Sequence, residues 1–430
     1  MRSRTHKGGQ KTSGPGLGKE ITLWRGAALA VSMIIGSGLL GLPGLVLEIG
    51  NPYEAVLGWI LISLIVFPLI RIFATLGLKF PTSAGLARYA EAAVGPWGGY
   101  AVAYLVFGSV PGIPALTLIG AEYVQRLFSL PFDYVPLLAV LIVTTMTLFN
   151  LAGVRAVSIV NYAALGVLVL LLLVISVFNL DFFVMGLSLL PQALSGEGSV
   201  EFENLWKIAA LLFWAFLGWG SFSFSLGELE SPEKNVPRVY WLSFAVVVFI
   251  YLLLAFTTAG AEVSGVSLKG ASGLAGLVEL TPGGNLLLLL IIIVLVANAS
   301  SWNFTASRLL YSAANEGIFP TSLGKLSGRS IPVPALLALY AVSLLLIAAT
   351  YVFKVPISAM VLIVNQNFVF LYAFVVLSYW KLETGWKRWV FTGLSFVSLS
   401  FLVSGFSWWV VYPLLLVRLG YWRGVRKKGY

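Results

Sequence analysis

Met33-Ile34-Ile35-Gly36-Ser37-Gly38-Leu39-Leu40-Gly41-Leu42-Pro43 lies inside residues 21–49, a segment otherwise apolar and of membrane-spanning length. Gly and Pro both weaken helical hydrogen bonding, so a continuous helix avoids glycines around a serine followed by a proline. Lipid supplies no partner for an unpaired backbone. A broken helix at membrane depth is tolerated only where protein or a water-filled cavity satisfies it. A break here points to a site that binds something small and polar in mid-bilayer.

The rest of the chain supplies the membrane context. It has 430 residues, 59% hydrophobic and 10% charged, against about 25% charged in soluble proteins. Apolar runs of about 20 residues recur from end to end, predicting an all-α integral membrane protein rather than the short alternating segments of a β-barrel. Twelve spans are predicted, at about 21–49, 54–78, 97–127, 134–152, 156–179, 204–227, 238–261, 283–312, 333–352, 357–379, 388–404 and 406–421. Residues 1–19 read as a disordered basic tail and not as a signal peptide, since the apolar stretch that follows is too long. Residues 86–94 read as a short amphipathic helix.

Several chemistries are excluded. There is no cysteine, the single histidine is His6 in the tail, and the two aspartates, Asp133 and Asp181, fall in predicted loops. A His-ligated metal centre or a pair of buried aspartates cannot be built, so neither metal nor cofactor is expected. No Walker A sequence is present, which argues against a transport ATPase. The net charge of +10 is a topology signal rather than a nucleic-acid footprint. Basic residues crowd the N-terminal tail, the even-to-odd connections (Lys79, Arg88, Arg155, Lys234, Arg238, Lys325, Arg329, Lys381, Lys387, Arg388) and the C-terminal tail. The opposite side holds only Arg126, Lys207, Lys269 and Lys354. The positive-inside rule then makes both termini cytoplasmic in a multi-pass cell-membrane protein, with the basic side also touching anionic lipid.

A second fault interrupts the sixth span at Phe213-Trp214-Ala215-Phe216-Leu217-Gly218-Trp219-Gly220-Ser221. Spans one and six are five apart. A five-helix unit over 20–179 that starts inside, and another over 204–379 that starts outside, would be inverted copies, and paired interruptions at matching positions mark a transporter site. Small residues for close helix packing are the bland alternative. The half-helix after Gly38 would aim free N–H groups and a positive dipole end into the break, which suits a carboxylate. Free carbonyls at the broken ends suit an ammonium group. A zwitterionic amino acid offers both. Trp214, Phe216 and Trp219 would close the cavity on an apolar side chain, with plain helix packing or lipid contact the alternative for each.

At these residues the sequence resembles the amino acid–polyamine–organocation (APC) transporter superfamily over nearly its whole length. The matching pieces are IIGSGLLGLP in span one, FWAFLGWGSFSFSLGELESPEKNVPR (213–238, with Glu228, Pro232, Pro237 and Arg238), ASRLLYSAANEGIFP (306–320) and KFPTSAGLARYAEAAVG (79–95). The phrases at 61–85 and VPGIPAL at 110–116 look most like bacterial exporters of methionine and branched-chain amino acids. The resemblance implies a LeuT-like 5+5 inverted repeat with discontinuous helices 1 and 6, two extra helices in 380–430, and alternating access. It also implies that Gly36, Ser37 and Gly38 hold the substrate carboxylate, with Ile35 beside them in the binding site, that Phe216, Leu217 and Gly218 receive the amino group, and that Trp214 gates. Two departures stand out. The fifth span has no lysine to substitute for sodium, and Gly220 stands near where some antiporters carry a glutamate.

Other polar residues complete the expectations. Glu228 could close an inner gate, Asn365 and Asn367 could line the cavity beside Gln366, and Ser301 and Thr305 share a face that could help bind an ion. Glu122 is expected to pair with Arg126 at i,i+4, and Arg71 to snorkel. The leading reading is a secondary transporter of neutral, apolar L-amino acids, in the exporter sense coupled to protons. A sodium- or proton-coupled importer, or an exchanger, is the alternative mechanism. A channel or a membrane-embedded enzyme is the alternative class, though no filter-like repeat and no acid/base constellation appears. Monomer and homodimer both remain open, as does H+ or Na+ as the coupling ion.

Overall fold

The computed structural model describes residues 21–80, 85–327, 331–406 and 408–426, without the side chains of residues 37, 154–162, 165, 224 and 227. The predicted basic tail and positions 81–84 of the 79–95 motif lie outside the described residues. In chain order the helices are α1 Leu23–Ile34, α2 Leu42–Ile49, α3 Pro52–Lys79, α4 Gly85–Val94, α5 Trp97–Phe107, α6 Gly112–Leu127, α7 Val135–Ala152, α8 Val154–Phe178 and α9 Leu180–Ser195. There follow α10 Phe202–Leu212, α11 Gly218–Phe222, α12 Pro232–Val263, α13 Ala275–Leu280, α14 Gly284–Asn315, α15 Val333–Phe353, α16 Ile357–Leu382, α17 Gly385–Ser404 and α18 Val411–Arg426.

Each predicted span is helical. Eight helices among the described residues are long and apolar enough to cross a membrane, and α8 with α9 makes a ninth if that bent pair is one span. The broken first span, α17 and α18 complete the twelve. The amphipathic helix expected at 86–94 is α4.

The first span breaks where its glycines stand. The α1 helix stops at Ile34, Ile35 and Gly36 leave helical geometry, Ser37–Leu40 make one 3-10 turn, and α2 starts at Leu42 with Pro43 in its first turn, where a missing N–H costs nothing. The sixth span behaves differently. Its irregularity begins at Phe213, upstream of Gly218 and Gly220, as a 3-10 turn over Phe213–Phe216. Leu212 and Leu217 keep right-handed helical dihedrals, so this span is tightened rather than unwound. The third span also changes course, through a turn at 108–111 between α5 and α6.

The connection after span five is not a loop. Its apolar residues fold as α9, which turns 80° from α8 at Asn179, and Asp181 lies in its first turn. Gly186 of α9 and Gly260 of α12 face each other's backbones so closely that a Cβ on either would overlap a carbonyl of the other helix (Phe256 or Phe182). One more buried group joins α3 to the start of α10. Glu54 caps α3, accepting from Asn51 N at 2.8 Å, and also accepts from Glu201 N at 2.7 Å at the start of α10.

Candidate functional site

The interrupted spans meet at one place. Trp214, in the 3-10 turn of span six, lays its indole on the backbone of Gly38, so that a Cβ on Gly38 would overlap the pyrrole edge. The far edge of the same ring faces Gly112 at the start of α6. Gly218 packs so tightly on α1 that a Cβ there would overlap the Met33 carbonyl. The Asn298 side chain, on α14, lies against Gly36.

Breaking a helix frees carbonyls and N–H groups, which must be satisfied. The carbonyls are met by hydroxyls and amides from other helices. Tyr251 of α12 reaches Ala215 O at 2.7 Å and Ile34 O at 3.3 Å, one from each interrupted span. Tyr372 of α16 reaches Phe216 O at 2.9 Å and Leu217 O at 3.1 Å. Asn365 donates to Ala210 O and Leu211 O at 2.7 and 2.9 Å. Tyr123 of α6 donates to Leu40 O at 2.8 Å. On the other side of the break, the turn opening at Ser37 directs its first N–H groups, those of Ser37 and Gly38, away from any acceptor within that turn. Helix geometry leaves the Ser37 and Gly38 N–H groups without an acceptor inside their own turn, and the carbonyls of Ala215, Phe216 and Leu217 are bonded to hydroxyls. A carbonyl oxygen has two lone pairs, so a hydroxyl on it leaves room for a second donor.

The sequence-predicted residues divide accordingly. Ile35, Gly36, Gly38, Trp214, Phe216, Leu217 and Gly218 are brought to the junction; the backbone of Ser37 is there, while its side chain lies outside the described residues. Phe216 is fully buried, edge-on to Tyr251 with centroids 5.2 Å apart. Trp219 is elsewhere: it is wholly buried against Tyr240 and Phe244 of α12, at 5.9 and 6.2 Å between centroids, as core packing. Asn365 holds the end of α10 rather than lining a cavity. Asn367 is fully buried beside Gly108 of the third-span turn, its amide without a partner among the described residues.

The remaining candidates are scattered. Thr305 is exposed and its hydroxyl bonds back to Ser301 O at 3.0 Å, within α14. Glu228 contributes backbone, its carbonyl accepting from Ile21 N at 3.0 Å and so tying the start of span one to the exit of span six; its carboxylate forms none of the described ion pairs. The expected Glu122–Arg126 pair is not made. Glu122 accepts from Ser272 N at 3.2 Å, and Arg126 forms a two-point pair with Glu279 at 2.6 and 3.0 Å, because the segment 264–280 folds back over this end of α6. Arg71 lies 5.9 Å from the Phe391 ring centroid.

An open cavity of about 370 Å3 lies away from the junction, at the end of α2, between Glu48, Glu54, Glu201, Glu262 and Lys269. Its carboxylates do not suit a substrate carboxylate. At the junction itself the indole lies between Gly38 and Gly112.

Tyr251, Tyr372, Asn298 and Gly112 were missed as site residues. The tyrosines carried a signal: a phenol in a buried apolar span must find a partner for its hydroxyl, and broken helices supply carbonyls. For Gly112 the signal was the punctuation Pro-Gly-Ile-Pro in mid-span.

Comparison with known proteins identifies the family and the fold. An amino acid permease family model matches residues 21–417. The chain is 28% identical to an uncharacterized amino acid permease, YecA, of Bacillus subtilis, over 97% of this chain and 98% of that one. It is 25% identical to the L-methionine/branched-chain amino acid exporter YjeH of Escherichia coli, over 95% and 96%. It is 30% identical to the human large neutral amino acids transporter small subunit 2, over 76% of this chain and 64% of that protein. In fold it is similar to Mhp1, a nucleobase-cation-symport-1 family transporter solved in a closed conformation, with TM-score 0.59 over 96% of each chain at 12% identity. Eight or nine membrane-length apolar helices among the described residues, interruptions in the first and sixth predicted spans, a LeuT-like fold and a family match over nearly the whole length place this multi-pass membrane protein in the amino acid permease family of the APC superfamily.

Proposed function

We propose that the chain is a secondary active transporter of neutral, apolar L-amino acids that works by alternating access in the cell membrane, with both termini cytoplasmic. The observation that carries this reading is the meeting of Gly38 and Trp214 across two interrupted spans. The Ser37–Gly38 N–H groups receive the α-carboxylate, at a positive helix end that needs no buried cationic side chain. The Phe216 and Leu217 carbonyls take the α-ammonium beside Tyr372. The Trp214 indole leaves its place over Gly38 to admit an apolar side chain, and its return seals the site. Residues 20–179 and 204–379 form the two repeat units that rock against each other. Export of methionine and branched-chain amino acids is the direction favoured by the likeness to the E. coli exporter, with protons as the proposed coupling ion.

The test is a panel of labelled amino acids in proteoliposomes, with proton and sodium gradients imposed separately. Saturable flux of leucine, methionine or valine that follows one gradient supports the reading and names the ion. Absence of saturable flux for the whole panel defeats it.

A further inference from the structure

The sequence punctuation Val110-Pro111-Gly112-Ile113-Pro114 is not consumed by the two-break scheme. Its turn presents no free donors to a ligand. Gly112 N bonds to Ser109 O at 3.0 Å, Ile113 N to Val110 O at 2.9 Å and Ala115 N to Pro111 O at 3.2 Å, and Pro111 and Pro114 have no N–H. Gly112 is also not required by backbone conformation, since its φ is not among the positive values of the described glycines. What Gly112 supplies is the absence of a side chain. A Cβ there would stand 3.1 Å from Trp214 Cη2 and 3.3 Å from Val364 Cγ2. Those distances are tighter than ordinary van der Waals contact, so the indole would have to give way.

We propose that Gly112 is a specificity-determining residue: it is the wall onto which the Trp214 indole backs, and it sets how large a substrate side chain can fit between that indole and Gly38. This rests on the amino-acid reading above. The indole is held between two glycines, Gly38 at its pyrrole edge and Gly112 at its benzo edge. Any side chain that enters over Gly38 must push the indole toward α6. With only hydrogen at position 112 the indole can move toward α6 by the few tenths of an ångström that a Cβ would deny it. A methyl group there keeps the indole forward and reserves the remaining space for small substrates. Gly112 acts through Trp214 and touches no reacting group itself.

Four proteins test this in proteoliposomes: wild type, Gly112→Ala, Trp214→Phe and the double variant, each with labelled alanine, valine, leucine, methionine and phenylalanine. A single methylene in an apolar pocket discriminates by about 10–200-fold. The expected result for Gly112→Ala is a KM for leucine, methionine and phenylalanine raised at least about tenfold relative to alanine, with maximal rates changed far less. Trp214→Phe removes the ring atoms that face Gly112. It should shift preference toward the largest side chains on its own, and restore leucine and methionine in the Gly112→Ala background, a coupling that independent sites do not show. Even if Gly112→Ala fails to fold, the selectivity of Trp214→Phe still decides: no shift toward larger substrates overturns the proposal. Equal loss of all five substrates in Gly112→Ala, or no restoration in the double variant, also overturns it. Wild-type liposomes that transport none of the panel defeat the amino-acid reading itself, whereas wild-type transport with unshifted selectivity in the variants defeats only this inference.

Discussion

The Tyr251 hydroxyl stands 2.7 Å from the Ala215 carbonyl oxygen, and the same hydroxyl is 3.3 Å from the Ile34 carbonyl. A single side chain of α12 therefore spans both interrupted helices, at the last carbonyl before each chain leaves regular α geometry or in the turn just after it. A phenol has one proton, so it serves one carbonyl fully and the other weakly. Such a bond can move between partners when the two spans shift against each other.

Removing that hydroxyl should slow transport without unfolding the protein. Tyr251→Phe keeps the ring and its contact with Phe216, and leaves a buried carbonyl short of a donor, at a cost of about 1–3 kcal/mol. Double-mutant cycles inside membrane proteins average nearer 0.6 kcal/mol, so the lower end is the better expectation. Exchange of labelled leucine in proteoliposomes should fall severalfold, while the elution profile in detergent stays that of wild type. Wild-type exchange rates would show that Tyr251 plays no part in holding the breaks.

Glu54 makes the opposite prediction, a stability effect that precedes any effect on transport. Its carboxylate is buried and accepts from Asn51 N, Glu201 N and the Asn204 amide, so it joins the starts of α3 and α10. Hydrogen bonds to charged groups contribute about 1.5–3 kcal/mol each. Glu54→Ala should lower thermal stability in detergent by at least one such bond, and Glu54→Gln, which keeps one acceptor and the shape, should recover part of it. A melting curve for each variant checks this; equal melting of Glu54→Ala and wild type would refute it.

The two-point pair of Arg126 with Glu279 is half-exposed on both partners, and surface pairs of that kind contribute about 0–1 kcal/mol. Arg126→Ala should therefore leave stability nearly unchanged. Exchanging the charges, Arg126→Glu with Glu279→Arg, should be better tolerated than either single reversal, read as expression level and melting temperature. Parity of the single and double reversals would mean the pair contributes nothing.

These contrasts show which parts of the molecule were legible in the sequence. Hydropathy counts the spans because each must cover the hydrocarbon core on its own, and the glycines of 36–41 mark the first break because helical geometry fails there. Hydropathy does not distinguish a span from an apolar helix that turns aside, so the sequence alone does not show that the chain turns by 80° at Asn179 and continues as α9. In span six the irregularity lies at the front of the 213–221 stretch, ahead of Gly218 and Gly220. The 3-10 turn begins at Phe213 because 3-10 and α dihedrals differ little and need no glycine. Gly218 is there instead to let α1 approach. Trp219 and Trp214 are five residues apart on one segment, and only tertiary packing shows that one faces Tyr240 and the other Gly38. Asn365 read as a cavity residue because a polar side chain in an apolar span must find partners; the partners are the freed carbonyls of α10, which no local pattern reveals.

Gly38 and Gly218 both lack room for a side chain, but for different reasons, and substitution should separate them. At Gly38 the obstruction is the Trp214 indole, the free end of a side chain that can turn away. Gly38→Ala should fold, and should displace the indole into the space required by substrate, so that exchange falls with near-normal stability. Gly38→Leu should abolish exchange. At Gly218 the obstruction is the Met33 carbonyl and the Ile34 Cα, which are backbone. A methyl group there must move α1 bodily, and overpacking of this kind costs about 1–3 kcal/mol. Gly218→Ala should therefore lose both stability and exchange. Combining Trp214→Ala with Gly38→Ala should remove the overlap at Gly38, whereas Trp214→Ala should do nothing for the overlap at Gly218. Melting temperature and leucine exchange measured on the same preparations distinguish the two cases. Identical behaviour of Gly38→Ala and Gly218→Ala would mean that the indole is as fixed as the backbone, and that Trp214 is a packing residue rather than a moving gate.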